Sequence, residues 1–270
     1  MSLELRKPAV AGRFYEGDGA VLADTLSDLQ PKEKIQPRKA KAVVSPHAGY
    51  IYSGSVAAET LAAVHIPETV IILGPNHHGQ GAPLSLSMTD WEMPMGTVPV
   101  NREIGQQLAE QSGAITIDEQ AHRFEHSLEV QVPFLQARQK NLSIVPLVVS
   151  QISYPLCEEV GSAIARTIAA ADRDILIVAS SDMTHYEPRQ AAEKKDHYAL
   201  KKLSDMDPSI LFHSVLDHRI SMCGIVPVTI ALIAALELGA TKTELIRYTD
   251  SGAVTGDTSQ VVGYAGVVID

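Results

Sequence analysis

Ile175-Leu176-Ile177-Val178-Ala179 runs directly into Ser180-Ser181-Asp182-Met183-Thr184-His185. A short apolar run that stops at Ser, Gly or Pro reads as a strand buried on both faces, the kind found in parallel sheets. The chain repeats this arrangement twice more. Ala42-Val43-Val44 leads into Ser45-Pro46-His47-Ala48-Gly49-Tyr50, and Val70-Ile71-Ile72-Leu73 leads into Gly74-Pro75-Asn76-His77-His78-Gly79. Each time a histidine follows the end of an apolar strand. In open α/β sheets ligands bind outside the carboxyl ends of the strands, so three such ends are expected to meet in one crevice. Imidazole is the commonest metal ligand and the usual acid or base near neutral pH.

Between these strands the sequence reads as helices. Asp18 to Leu29 is amphipathic with Asp18 as its N-cap, and Ser53 to Ala62 is Ala-rich with Ser at its start. Arg102 to Ser112, Tyr154 to Ala171, Arg189 to Leu203, Pro208 to His218 and the strongly apolar Ile225 to Leu238 follow. Leu142 to Val149, Leu245 to Tyr248 and Val261 to Ile269 are the further strands. Pro83 to Val100, with the single tryptophan Trp91, is expected as a hairpin or long loop near the site. Strands alternating with helices predict an α/β fold: one domain over residues 1–270, with a mixed, largely parallel sheet covered by helices on both faces.

Composition narrows the function. The chain has 270 residues and a net charge of −10 with its ten histidines neutral. That disfavours nucleic acid and anionic membranes, which attract basic faces. The most basic stretch, Pro31 to Lys39, reads as a solvated linker. Two cysteines are too few for a disulfide framework. No apolar stretch approaches a membrane span, and Met1-Ser2-Leu3-Glu4 lacks the regions of a signal peptide, so a soluble, cytoplasmic protein is expected. There is no Walker or dinucleotide fingerprint.

His47 and His77 are the leading metal-ligand candidates. His78 is the neighbour of His77 and should point to the other side of an extended segment. Cys223, in Ser221-Met222-Cys223-Gly224, precedes the apolar helix, where a lowered pKa would make it a thiolate nucleophile or a soft ligand. Cys157 lies inside a helix beside Glu158 and Glu159 and reads as structural. Asp182 and His185 form Asp-x-x-His, in which the carboxylate would orient the imidazole. His122-Arg123-Phe124-Glu125-His126 has the inverted zincin pattern, which needs one helix through both histidines. The preceding residues show no helical rhythm, so the loop-to-helix transition is expected near Glu125 or His126, with His126 lining the crevice.

Taken together, Pro46-His47-Ala48-Gly49-Tyr50, Tyr52-Ser53-Gly54, Leu73-Gly74-Pro75-Asn76-His77-His78, Glu125-His126-Ser127-Leu128-Glu129, Ser180-Ser181-Asp182 with His185, and Cys223-Gly224 resemble the Memo family. This is the B component of the AmmeMemoRadiSam set. That family is similar to the class III, LigB-type extradiol dioxygenases, α/β proteins that hold non-haem iron with two histidines and a glutamate. By resemblance, His47 and His77 fall on the histidine ligands, His185 falls near a pocket histidine, and the third ligand is a cysteine, here Cys223. A thiolate in place of a carboxylate softens the site and weighs against ring cleavage.

The resemblance implies a metal-dependent redox enzyme holding one transition-metal ion, iron or copper in preference to zinc. Asp182, His185 and His126 would serve as acid–base or supporting groups, and Tyr50 and Trp91 are expected on the substrate side. The implied partner is a small-molecule substrate or a metal-delivery protein. Two other functions fit the sequence: a metal- or partner-binding module without catalysis, and a zinc hydrolase built on His122, Glu125 and His126.

Overall fold

Alternate residues of each central strand face opposite hydrophobic cores, and this arranges the whole molecule. The computed structural model describes residues 5–270; Met1 to Glu4, read above for a targeting signal, lies outside them. In chain order the elements are α1 (Gly19–Asp28), β1 (Ala42–Ser45), α2 (Tyr50–Ala62), β2 (Thr69–Pro75), β3 (Leu84–Leu86), α3 (Arg102–Gln111), β4 (Thr116–Ile117) and α4 (Val132–Arg138). Then come β5 (Ser143–Val149), α5 (Tyr154–Ala170), β6 (Ile175–Ser180), β7 (His185–Glu187), α6 (Arg189–Ser204), α7 (Pro208–Asp217), α8 (Ile225–Glu237), β8 (Thr243–Asp250), α9 (Gly252–Thr255) and β9 (Val261–Ile269).

The sheet runs β4-β3-β5-β2-β6-β1-β9-β7, with β8 also paired to β9. Its centre, β5-β2-β6-β1, is parallel, and β3 and β9 flank it antiparallel. The mixed α/β sheet is therefore as expected. Ile71, Leu73, Val145, Ile177 and Ala179 join the core formed with α3, α5, α7 and α8. Val43, Val70, Ile72, Leu176 and Val178 join the core formed with α1, α2 and α4. This is the period-two alternation of a strand buried on both faces. Helix α8 buries 11 residues, Ile225 to Ala235, which explains its uninterrupted apolar sequence.

Asp18 caps α1 by accepting from the Ala20 and Val21 amides, as expected. Helix α2 begins earlier than predicted. It starts at Tyr50, three residues ahead of Ser53, whose hydroxyl donates to the Ala48 carbonyl. The end of the basic Pro31–Lys39 stretch is anchored to the fold, since Arg38 donates from Nε to Asp270 at 2.7 Å. No helix among the described residues is long and apolar enough to cross a membrane.

Because β2, β6 and β1 are parallel and adjacent in that order, Pro75, Ser180 and Ser45 end at one edge of the sheet. The loops carrying His77, Asp182 and His47 leave from that edge. A cavity of about 610 Å3 lies at the other end, against Lys41, Pro67 and Ile175 at the strand starts. His65 lines it, but His47, His77 and His126 do not.

Candidate metal centre

His47, buried in the loop just past the end of β1, is held through its ring. Its Nδ1 lies 2.9 Å from Ser180 Oγ on the adjacent strand β6. Ser180 has one proton, and its hydroxyl donates it to the Ser127 carbonyl at 2.6 Å. Gln131 donates a further hydrogen bond to the same oxygen at 2.9 Å. Ser180 Oγ can therefore only accept from His47, so His47 carries its proton on Nδ1 and presents a bare Nε2.

His77 is fixed in the same way by a stronger partner. Glu125 accepts from His77 Nδ1 at 2.9 Å and from the His77 backbone amide at 2.7 Å. The carboxylate also accepts from the His126 and Ser127 amides. Burial alone would raise the Glu125 pKa. The His77 hydrogen bond and charge and the backbone donors outweigh it and hold the carboxyl well below the usual carboxylate range. A charged Glu125 keeps His77 protonated on Nδ1, with Nε2 free. An imidazole that donates its other N–H to a carboxylate or hydroxyl is the usual arrangement of a metal-binding histidine.

The two rings meet. Their centroids are 5.2 Å apart, and the His126 ring stacks on His77 at 4.5 Å and lies 5.5 Å from His47. One donor atom from each of His47, His77 and His126 falls within 4.8 Å of the others. Cys223 Sγ lies 3.3 Å from His47 Nε2, although it falls outside this mutually close group of three donors. For metal–nitrogen bonds near 2.05 Å and a metal–sulfur bond near 2.3 Å at a tetrahedral angle, the nitrogen–sulfur separation is about 3.5 Å. The three imidazoles have the spacing that one metal ion needs, and the Cys223–His47 separation is compatible with a thiolate joining them from the His47 side.

Two glycines bring these groups together. A Cβ on Gly74 would lie 2.5 Å from Leu128 Cδ1 and 2.6 Å from Ser127 Oγ, so only glycine lets the 125–128 loop press on the end of β2. A Cβ on Gly224 would lie 2.4 Å from the Ser180 carbonyl, so glycine there lets the Cys223 segment reach β6.

The sequence relationship spans nearly the whole chain. The profile of the Memo-like proteins matches residues 6–268. The chain belongs to the Memo family. It is 42% identical to a MEMO1 family protein of Aquifex aeolicus, over 98% of this chain and 99% of that protein. It is 41% identical to one from Methanothermobacter thermautotrophicus, over 97% of this chain and 99% of that protein. The fold is similar to that of a crystal structure of an uncharacterized protein from Escherichia coli K12. That match has a TM-score of 0.58 and 17% identity, and it covers 86% of this chain and all of that one.

Within this Memo fold several sequence expectations change. The His122–His126 segment is not a zincin helix. Residues 121–128 are turns, bends and irregular backbone, a short 3-10 turn covers Glu129–Gln131, and α4 starts only at Val132. His122 is buried, with Nε2 bonded to the Ser85 carbonyl at 2.8 Å, and Glu125 is committed to His77, so the hydrolase arrangement is absent. His126 does line the crevice, edge-on to Phe14. His77, not His78, turns toward His47; His78 is exposed and lies 6.3 Å from the Phe124 ring.

Asp182 does not orient His185. Its carboxylate accepts from the His47 backbone amide at 2.8 Å, while His185 Nδ1 donates to the Ser221 carbonyl at 2.9 Å. Burial pushes the Asp182 carboxyl up to about 6.

The Cys223 thiol also departs from expectation. Burial, and then the Asp182 charge, push its pKa up and not down. A coordinating metal deprotonates a thiol outright, so this thiol suits a ligand better than a free nucleophile. Cys157 is buried in α5 as expected. Its thiol is raised to about 12, mainly by burial, with Glu158 a lesser cause.

Trp91 and Tyr50 are core residues and do not line the site. Trp91 is buried under Arg6, and the Tyr50 hydroxyl donates to the Val130 carbonyl. Sequence reading missed Ser180 and Glu125 as the groups that orient the two imidazoles. The signal for Ser180 was available, since it is the last residue of a strand whose neighbour β1 ends at Ser45, two residues before His47.

Proposed function

We propose that this Memo-family chain is a metal-dependent oxidoreductase acting on a small molecule. Its ion would be held by His47, His77 and Cys223, with His126 in reach of the same point. The observation that supports it most is the pair of bare Nε2 atoms of His47 and His77, each fixed by a partner on its own Nδ1, brought together with His126 at the carboxyl ends of the parallel strands, with the Cys223 thiol against His47. Two or three imidazoles and one thiolate favour iron or copper over the hard cations, and the thiolate sets the site apart from a two-histidine, one-carboxylate centre. Bound there, the ion would supply one-electron chemistry that no side chain in the crevice can.

The protein groups supply proton handling and access. Asp182, raised to about 6, exchanges a proton near neutral pH from a position beside His47. Burial holds His126 down at about 4, so its ring is neutral and able to accept a proton. His185, on the open side, keeps Nε2 free because Nδ1 is bonded to Ser221. The His77 side chain is 30% exposed while His47 is buried, so a substrate would enter from the His77 side.

The test is oxygen uptake by iron- or copper-loaded protein offered catechols, thiols or ascorbate. Uptake that disappears in His77→Ala supports the reading. Stoichiometric metal binding with no turnover on any of these reductants would overturn catalysis and favour a metal carrier.

A further inference from the structure

Arg6 sits far from the strand ends in sequence, yet its guanidinium ends beside the loop that carries Glu125 and His126. It is buried, and three of its nitrogens are spent on one eight-residue segment. Nε donates to the His122 carbonyl at 2.9 Å, one terminal nitrogen to the Glu125 carbonyl at 2.7 Å, and the other to Glu129 Oε2 at 2.5 Å. The Trp91 ring supports the guanidinium from one face at 4.1 Å. The Arg6 backbone is bonded on both sides, its amide to the Asp90 carbonyl and its carbonyl to the Glu92 amide. Glu129 is itself fixed by the Ala9 and Val10 amides and the Tyr15 hydroxyl.

The segment so held has turns but no helix until the 3-10 turn at Glu129, so its conformation depends on contacts from outside. Residue Glu125 is gripped from two sides. Arg6 holds its carbonyl, and its carboxylate holds His77. We propose that Arg6 is a positioning residue for the metal centre, pinning the 122–129 loop so that Glu125 fixes the His77 ring with Nε2 turned to the ion. Only arginine offers planar, diverging donors that can serve two carbonyls and a carboxylate at once. A lysine could keep the charge against Glu129 but not the fork. The inference rests on the metal-site reading for its purpose, but its geometry can be tested without metal.

The experiment compares wild type, Arg6→Gln, Arg6→Lys and Lys7→Ala. Lys7→Ala is the control, because it removes the exposed Lys7–Glu92 ion pair from the same N-terminal segment without touching the loop. Imidazole 15N spectra of the metal-free proteins report the His77 tautomer, and competition against a chromophoric chelator reports iron affinity. In wild type and Lys7→Ala, His77 is expected as the Nδ1–H tautomer. In the two Arg6 variants its signals are expected to average toward a mixture, with iron affinity about 10–100-fold lower, the usual cost of losing a group that orients a ligand.

Folded Arg6 variants with the wild-type tautomer and affinity would overturn the proposal. So would failure of both to fold, since Arg6 would then be a structural residue only. If wild type binds no iron, the metal-site reading falls, and the tautomer comparison alone decides whether Arg6 orients His77.

Discussion

Cys223 Sγ lies 3.3 Å from His47 Nε2, across 176 residues of sequence. The contact joins the loop after β1 to the residues that lead into α8, and both rest on β6. The intervening strand supplies Ser180 Oγ to the far side of the His47 ring, so His47 is held between a hydroxyl and a thiol. The imidazole proton is committed to the hydroxyl side, and the lone pair faces the sulfur.

Ser180→Ala should therefore loosen His47. It removes the acceptor for His47 Nδ1 and leaves the Ser127 carbonyl and one Gln131 N–H without their partner. The expected cost is about 1–3 kcal/mol of stability, read by chemical denaturation, for buried polar groups left unpaired. Metal affinity should drop about 10–100-fold.

Glu125→Gln exchanges a charged acceptor of four N–H groups for an amide that must turn its own N–H2 toward some of them. Stability should fall by about 1–3 kcal/mol. His77 should lose its fixed tautomer, which imidazole 15N spectra will show. A variant as stable as wild type, with His77 still in the Nδ1–H form, would contradict the role given to Glu125.

Gly224→Ala tests the close approach that brings Cys223 to the site. The added methyl would meet the backbone of Ser180, the last residue of β6, and the side chain of the buried Ser181 that follows it. Overpacking of this kind costs about 1–3 kcal/mol. Gly113→Ala, where the added methyl meets nothing, is the control and should leave stability almost unchanged.

The metal-free protein should lose stability on acidification from pH 6.5 to 4. Burial lowers His126 to about 4 in the fold, and buried His47 is lowered as well. The unfolded chain therefore takes up protons in this window that the folded chain refuses, and stability present above pH 6.5 is lost as pH falls. His126 alone accounts for about 2–3 kcal/mol. Asp182, raised to about 6, acts in the opposite direction between pH 6 and 4, because there the folded state holds the extra proton. Denaturation midpoints across this range should slope less in His126→Gln. An equal slope in that variant would contradict the burial argument.

Much of this was legible in the chain. The apolar runs before His47, His77 and Asp182 announce buried parallel strands, and parallel neighbours must end at one edge, so the convergence of the three loops followed from pattern alone. His126 was placed there by the expected loop-to-helix transition, and Cys223 by its position ahead of the apolar helix and by the family resemblance. What stayed hidden depends on contacts between distant irregular segments. Arg6 with the 122–129 loop, and Glu125 with His77, have no periodicity to betray them. The start of α4 was placed too early because 122–131 is shaped by Arg6 and Gly74, not by helix propensity. Trp91 and Tyr50 were assigned to the substrate side by their neighbours in sequence, whereas burial of their large rings took them into the core.

The central claim is that His47, His77 and Cys223 hold one ion. Elemental analysis of protein purified without added metal or chelator, run beside His77→Ala and Cys223→Ser, tests it most directly. The account predicts near-stoichiometric iron or copper in wild type, almost none in His77→Ala, and a clear loss in Cys223→Ser. No bound metal in wild type, or metal that neither substitution disturbs, would contradict it.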